Sequence, residues 1–392
     1  MPHKKTAKAA AKIERVTKAL KHQEPDRIPF FEYYWTGFLR RWREELGLPA
    51  DADPYAYYDL DVVNGGPNMD PLIRPFQVLK QDEDETVVLT GFGAIVRKVH
   101  RFPMPEYAAF ETDTIDKVRA FQFDDPWDER RFFSAGDDHI NGVGDDTIQR
   151  NVAPFVERAR ALAPDIAVFG SVLEASEFMV RSIGQANMLL WIGLYPDEIA
   201  RFAARINEFA VELVKAQVQA ADGLLSGLLI AGDVAYVRSL LFSPAYWRKH
   251  FRPGVQALID TAHGLGLPVI YHGCGNVRAI LPDFARMGLD GFHPLEAKAG
   301  LDVVDLRRQM GHELAFVGNN DVRLWAEGRP EELEPYTLRK LNAGKGGGYF
   351  FGSDHSVPAD VSGTTYDYLV NLVRRHGQYP LRLGAHDIPD LR

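Results

Sequence analysis

The segments LLSGLLIAGD (224–233), LPVIYHGCGN (267–276) and GFHPLE (291–296) decide the fold. Each is a short apolar run that ends in chemically capable residues: Asp233, then His272 with Cys274, then Glu296. Apolar runs of four to eight residues bounded by Gly or Pro read as buried strands. Between them, residues 244–265 and 276–287 carry apolar side chains at helical spacing. Such alternation implies parallel strands joined by right-handed crossovers.

The same rhythm extends in both directions. Strand patterns fall at 166–170, 314–318 and 348–352, and helical patterns at 151–163, 175–193, 196–221, 303–310, 330–342 and 363–376. Near the start, residues 8–22 form an amphipathic helix with Ile13, Val16 and Leu20 on one face. Gln23-Glu24-Pro25-Asp26 breaks it, and residues 27–34 follow as an aromatic-rich strand. Seven strands are legible in this way. A doubly wound open sheet has the same alternation, but polar residues follow most of the strands: Glu174, Asp233, His272 and Cys274, Glu296, then Asn319, Asn320 and Asp321, then Asp354 and His355. In a closed barrel all these strand ends converge on one face, whereas in an open sheet the outer ones lie far apart. The expectation is therefore an α/β protein, a (β/α)8 TIM barrel forming a single domain over 1–392. An N-terminal helix occupies 1–26. A long insertion after the first strand, 35–149, is irregular and carries a hairpin around Gly91-Phe92-Gly93 over the barrel mouth.

Composition narrows the classes. The 392 residues are 46% hydrophobic and 25% charged, an ordinary globular balance able to bury a large core. A net charge of −9 gives no basic stripe for a nucleic acid. No apolar run approaches the roughly 18–20 residues of a membrane helix. Cys274 is the single cysteine, so no intramolecular disulfide forms, which fits a reducing compartment and a cytoplasmic location. The basic, Ala-rich residues 1–12 read as a solvated helix start rather than a transit peptide.

His272-x-Cys274 is the sharpest local signal. Residues i and i+2 at a strand end can face one side, and an imidazole with a thiolate suits zinc. The bland alternative is a small buried cysteine beside a satisfied core histidine. Glu296, at the next strand end, is an acceptable third ligand, or else a carboxylate paired with Lys298 or an arginine. Asp354 or His355 is placed to supply a fourth. Asp233 reads equally as a general base, a substrate anchor or a turn cap. With Asp233, Glu174 and Asn320 are the catalytic candidates, while Tyr33, Asn319 and Asp321 are candidate cofactor contacts. Gly-Lys-Gly-Gly-Gly at 344–348 lacks phosphate-loop spacing and precedes a strand, so it reads as a connector. There is no Gly-x-Ser-x-Gly elbow.

The motifs ERVTKALKHQEPDRIPF (14–30), SPAYWRKHFRP (243–253), VIYHGCGN (269–276), GFHPLEAKAGLDV (291–303), LAFVGNND (314–321) and GGGYFFGSDHSVPADVS (346–362) together resemble the uroporphyrinogen decarboxylase-like superfamily, in its cobalamin-linked zinc methyltransferase branch. The resemblance covers nearly the whole chain and is weakest at 35–149. It implies a (β/α)8 barrel and a zinc site of His-x-Cys, a Glu and a second Cys. His272, Cys274 and Glu296 match three of these, whereas Asp354 or His355 stands where the second Cys belongs. The true decarboxylases have an Arg-rich segment after the first strand. Here that place reads Glu32-Tyr33-Tyr34-Trp35-Thr36-Gly37, with Arg40 and Arg41 only later. The resemblance thus implies zinc activation of a thiol. The thiol accepts a methyl group from cobalamin on a small corrinoid partner protein, or from a small methylated substrate. A homodimer follows by likeness alone. The alternatives are a decarboxylase of tetrapyrrole biosynthesis and a non-catalytic barrel that binds a corrinoid or tetrapyrrole.

Overall fold

In a computed structural model that describes residues 5–102, 104–137 and 151–391, the strands form two sheets. The first is parallel: β1 (Val62–Asn64), then, after an excursion, β6 (Ala167–Leu173), β7 (Leu225–Ala231), β8 (Val269–His272), β9 (Gly291–His293), β10 (Ala315–Val317) and β11 (Tyr349–Phe350), paired in that spatial order. The second is antiparallel and built from the excursion: β2 (Gln77–Gln81), β3 (Glu85–Leu89), β4 (Ala94–Val99) and β5 (Glu106–Phe110).

The two edges of the parallel sheet are joined by the chain that precedes it. Phe30 bridges Phe351 and Phe31 bridges Val62, both in parallel sense. The Phe31 amide donates to the Phe351 carbonyl at 3.0 Å, and the Phe351 amide donates to Pro29 at 2.9 Å. The sheet is therefore curled into a TIM-like barrel, with residues 30–31 linking β1 to β11. One buried cluster draws side chains from the staves all round, including Phe31, Val62, Phe169, Leu229, Ile270 and Phe350. Val16, Ala19 and Leu20 of the helix Ala7–Leu20 complete it, so that helix closes one end of the barrel. The outer helices bury their apolar faces in a separate, larger cluster.

Three expectations change. The insertion does not follow the first stave. The helix Thr36–Leu46 leads back to β1 first, and the excursion begins only after Asn64. β1 was invisible because three residues, two of them partly exposed, carry too little apolar signal. The single helix expected over 175–193 is two, Ala175–Ile183 and Gln185–Leu194. They are separated by Gly184 at φ +83°, where a Cβ would stand 2.4 Å from the Phe110 ring. Likewise 244–265 divides at Phe251 into Pro244–His250 and Arg252–Gly264. The end of the expected insertion, 138–149, lies outside the described residues. Within them, Gly91-Phe92-Gly93 lies in the turn between β3 and β4, and no helix is long and apolar enough to cross a membrane.

Candidate metal and substrate site

The polar residues after β7, β8, β9 and β11 meet at the carboxyl ends of the strands. This is the end at which barrel enzymes build active sites. Glycines set the local path. The Gly232 amide donates to the His272 carbonyl and the Gly273 amide to the His293 carbonyl, each at 2.9 Å, which continues the ladder past the strand ends. Gly275 sits at φ +80°, and a Cβ there would come within 2.7 Å of the Ala235 backbone. Only glycine lets the chain turn this close to the β7 loop.

Cys274 is the hub. Its Sγ lies 3.6 Å from His272 Nε2, and its amide donates to Asp233 Oδ1 at 2.9 Å. Asp233 Oδ1 is 3.8 Å from the same imidazole nitrogen. On the other side, Glu296 is buried, accepts the Gly275 amide at 3.0 Å and faces Lys298 Nζ at 3.1 Å. Among the described residues, two trios each place one ligand atom per residue within 4.8 Å of the others: Asp233, His272 and Cys274, and Cys274, Glu296 and His355.

The donor set fits a cation. Zinc–sulfur and zinc–nitrogen bonds of about 2.3 and 2.0–2.1 Å at a tetrahedral angle put S and N about 3.6 Å apart. That is the observed spacing of Cys274 and His272. Burial and then the Asp233 and Glu296 carboxylates push the Cys274 thiol well above its ordinary range. A positive charge among these groups reverses that balance.

Beside this cluster opens a cavity of about 780 Å³, whose wall includes Tyr33, Tyr34, Trp35, Asp233, His272 and His355. The excursion contributes Met104, Pro105 and Tyr107 to the same wall. Tyr33 stands edge-on to the His272 and His293 rings, with centroids 6.3 and 5.5 Å away.

The other sequence candidates separate clearly. His272, Cys274 and Glu296 converge on Cys274 but fall in two trios rather than one. Asp233, read as a catalytic or capping residue, stands among the ligand atoms. Of the two fourth-ligand candidates, His355 reaches Cys274. Both Asp354 oxygens instead accept backbone amides, from Ala297 at 3.0 Å and Val322 at 3.1 Å, and burial pushes its carboxyl up to about 6.

Glu174 is fully buried, does not line the cavity, and caps the helix Ala175–Ile183 by accepting the Glu177 amide at 3.1 Å. Asn319, at φ +72°, ties Leu301, Val303 and Lys340 together. Asn320 donates to Gly352 at 2.7 Å and to the Tyr349 hydroxyl at 3.1 Å. Asp321 caps the helix Val322–Glu327 and pairs with Arg323. None of these three lines the cavity, because their side chains are spent on holding the β10 and β11 loops. Arg40 and Arg41 are also away from it; Arg41 binds Glu45 and the Ala359 and Asp360 carbonyls. His293, which closes β9, was not singled out in the sequence, although its place three residues before Glu296 at a strand end was the available signal.

The fold and the cluster define a barrel of the kind that carries its chemistry at the strand ends. A family model described as Uroporphyrinogen decarboxylase (URO-D) matches residues 149–376. The match covers more than half of the chain, and the protein belongs to the uroporphyrinogen decarboxylase (URO-D) family, a family of enzymes. Among solved structures, a methyltransferase from Methanosarcina mazei superposes with a TM-score of 0.64 at 16% identity, over 95% of this chain and 99% of that one. A protein assigned as a vitamin-B12-independent methionine synthase from Listeria monocytogenes aligns over 57% of this chain and 70% of its own. It is 14% identical with a TM-score of 0.35, too low to define a shared fold. No curated protein sequence matches the chain.

Proposed function

We propose that the protein is a metal-dependent methyltransferase of corrinoid-linked one-carbon metabolism. It belongs to the methyltransferase branch of its family and transfers a methyl group between a cobalamin or small methylated donor and a thiol. The observation that carries this reading is Cys274, the chain's single cysteine, which belongs to both ligand trios, whose members Asp233, His272 and His355 line the cavity. The structural likeness to a protein described as a methyltransferase supports it.

His272, Cys274 and Asp233, with Glu296 and His355 on the far side of the sulfur, would hold zinc. When bound, such an ion supplies the charge that keeps a coordinated thiol ionised near neutral pH. The protein's own groups do the rest. Asp233 fixes the Cys274 backbone through its amide, and Lys298 holds the Glu296 carboxylate. The aromatic wall of Tyr33, Tyr34 and Trp35 offers an apolar surface for a methyl donor. A small corrinoid-carrying partner protein is the proposed donor for which the mouth stays open.

Elemental analysis tests the reading. The purified protein should carry stoichiometric zinc, and Cys274→Ala should lose both the metal and methyl transfer. Full activity in that variant would end the proposal. Decarboxylation of a tetrapyrrole is the second reading, favoured by the family's own description. Arg158 and Arg181 line the cavity, but Arg181 is already paired with Glu177 at 2.8 Å. Robust turnover of uroporphyrinogen would establish that reading in place of the first.

A further inference from the structure

β8 and β9 run parallel with His272 directly opposite His293. Registered residues on neighbouring strands project to the same face about 5 Å apart. The two imidazoles use that placement: their Nδ1 atoms are 2.7 Å apart and their centroids 4.9 Å. Two ring nitrogens at this distance share one proton between them. His293 is itself immobile. It is 1% exposed, the Phe31 ring meets it edge-on at 4.9 Å and the Tyr33 ring at 5.5 Å, and its carbonyl accepts the Gly273 amide. With Nδ1 engaged in this way, His272 turns Nε2 toward Cys274 Sγ.

We propose that His293 is the positioning residue of the site. Its Nδ1 accepts the proton on His272 Nδ1 and so holds His272 in the one orientation and tautomer that leaves the Nε2 lone pair facing Cys274. The reverse arrangement, with His293 donating, would put the proton on His272 Nε2 and close that nitrogen to a metal. A ligating histidine depends in this way on the partner of its other nitrogen. The inference rests on the reading of His272 and Cys274 as metal ligands, and it deepens that reading by adding a residue that never touches the ion.

Two variants and two measurements test it. His293→Phe keeps a ring in the space but removes the acceptor, whereas His293→Asn keeps an acceptor oxygen near the place of Nδ1. Zinc affinity, measured by chelator competition, should fall about 10–100-fold in His293→Phe and stay near the parent value in His293→Asn. Long-range proton–nitrogen NMR correlations on metal-free protein should show His272 protonated at Nδ1 in the parent and in His293→Asn. A proton on Nε2 of parent His272 would overturn the proposal, as would a folded His293→Phe that binds zinc like the parent. Should His293→Phe fail to fold, the parent tautomer and the His293→Asn affinity still decide. The NMR measurement needs no metal. A parent protein that shows the Nδ1–H tautomer but binds no zinc therefore refutes the metal reading and leaves the positioning geometry standing.

Discussion

Replacing Glu174 by Gln should make the protein more stable above neutral pH and change little near pH 5. Glu174 has no exposed surface, its Oε2 has no hydrogen-bond partner among the described residues, and burial pushes its carboxyl up to about 7. The ordinary glutamate value is 4.5. Between these two values the folded protein holds a proton that the unfolded chain has lost. Proton binding is then greater in the folded state, and stability falls as pH rises through that window. A shift from 4.5 to about 7, at about 1.4 kcal/mol per unit, removes about 3 kcal/mol by pH 8. Glutamine has no charge to desolvate and can still accept the Glu177 amide, so it escapes this loss. Parallel urea titrations of the parent and Glu174→Gln at pH 5, 7 and 8.5 measure the difference. A gap that opens with pH to about 3 kcal/mol supports the argument, and a gap independent of pH refutes it. Methyl transfer should persist in the variant, because Glu174 does not line the cavity.

Other substitutions probe separate links. Gly184→Ala forces a Cβ into the Phe110 ring at a left-handed φ, and should lower the melting temperature and loosen β5 against its helix, read by thermal melts and limited proteolysis. Asp61 is fully buried between Arg15 and Arg27 and accepts the Phe30 amide at 2.8 Å, so Asp61→Asn should cost about 3–5 kcal/mol in urea denaturation. His355→Ala should weaken zinc binding in chelator competition. Asp354→Asn should spare it, since the Asp354 oxygens are taken by the Ala297 and Val322 amides.

Much of the fold was legible because buried parallel strands are apolar throughout and end abruptly. β6 is buried along its whole length, and β7 to β10 each stop at a Gly or Pro. What escaped was short or locally neutral. β1 is held as a stave by Phe31 on one side and Ala167 on the other, contacts that no window of neighbouring residues contains. The division at Gly184 exists because Phe110, 74 positions earlier, occupies the space a side chain would need. In an apolar stretch such as 175–193 an isolated Gly does not announce a break; the tertiary neighbour supplies it.

The site divides along the same line. Type and spacing single out His272, Cys274 and Glu296, because few roles demand an imidazole, a thiol and a carboxylate at neighbouring strand ends. They do not say which other strand-end polar groups face the cluster. Asp321 and Asp354 are as polar as Asp233, yet each caps a helix or bridges backbone amides. Asp233, on a loop tied to Asn276 through the Tyr236 carbonyl, is left half free beside His272. The difference lies in the supply of orphan amides. Where a helix begins directly after the strand, as at Val322, its first N–H groups claim the nearest carboxylate. After β7 the chain wanders through Val234 to Leu241 before Pro244 starts a helix, so Asp233 keeps an oxygen for other work. What separates a structural carboxylate from one free to bind is therefore its nearness to unclaimed helix-start amides, in its own loop as for Asp321 or across the barrel mouth as for Asp354 at Val322.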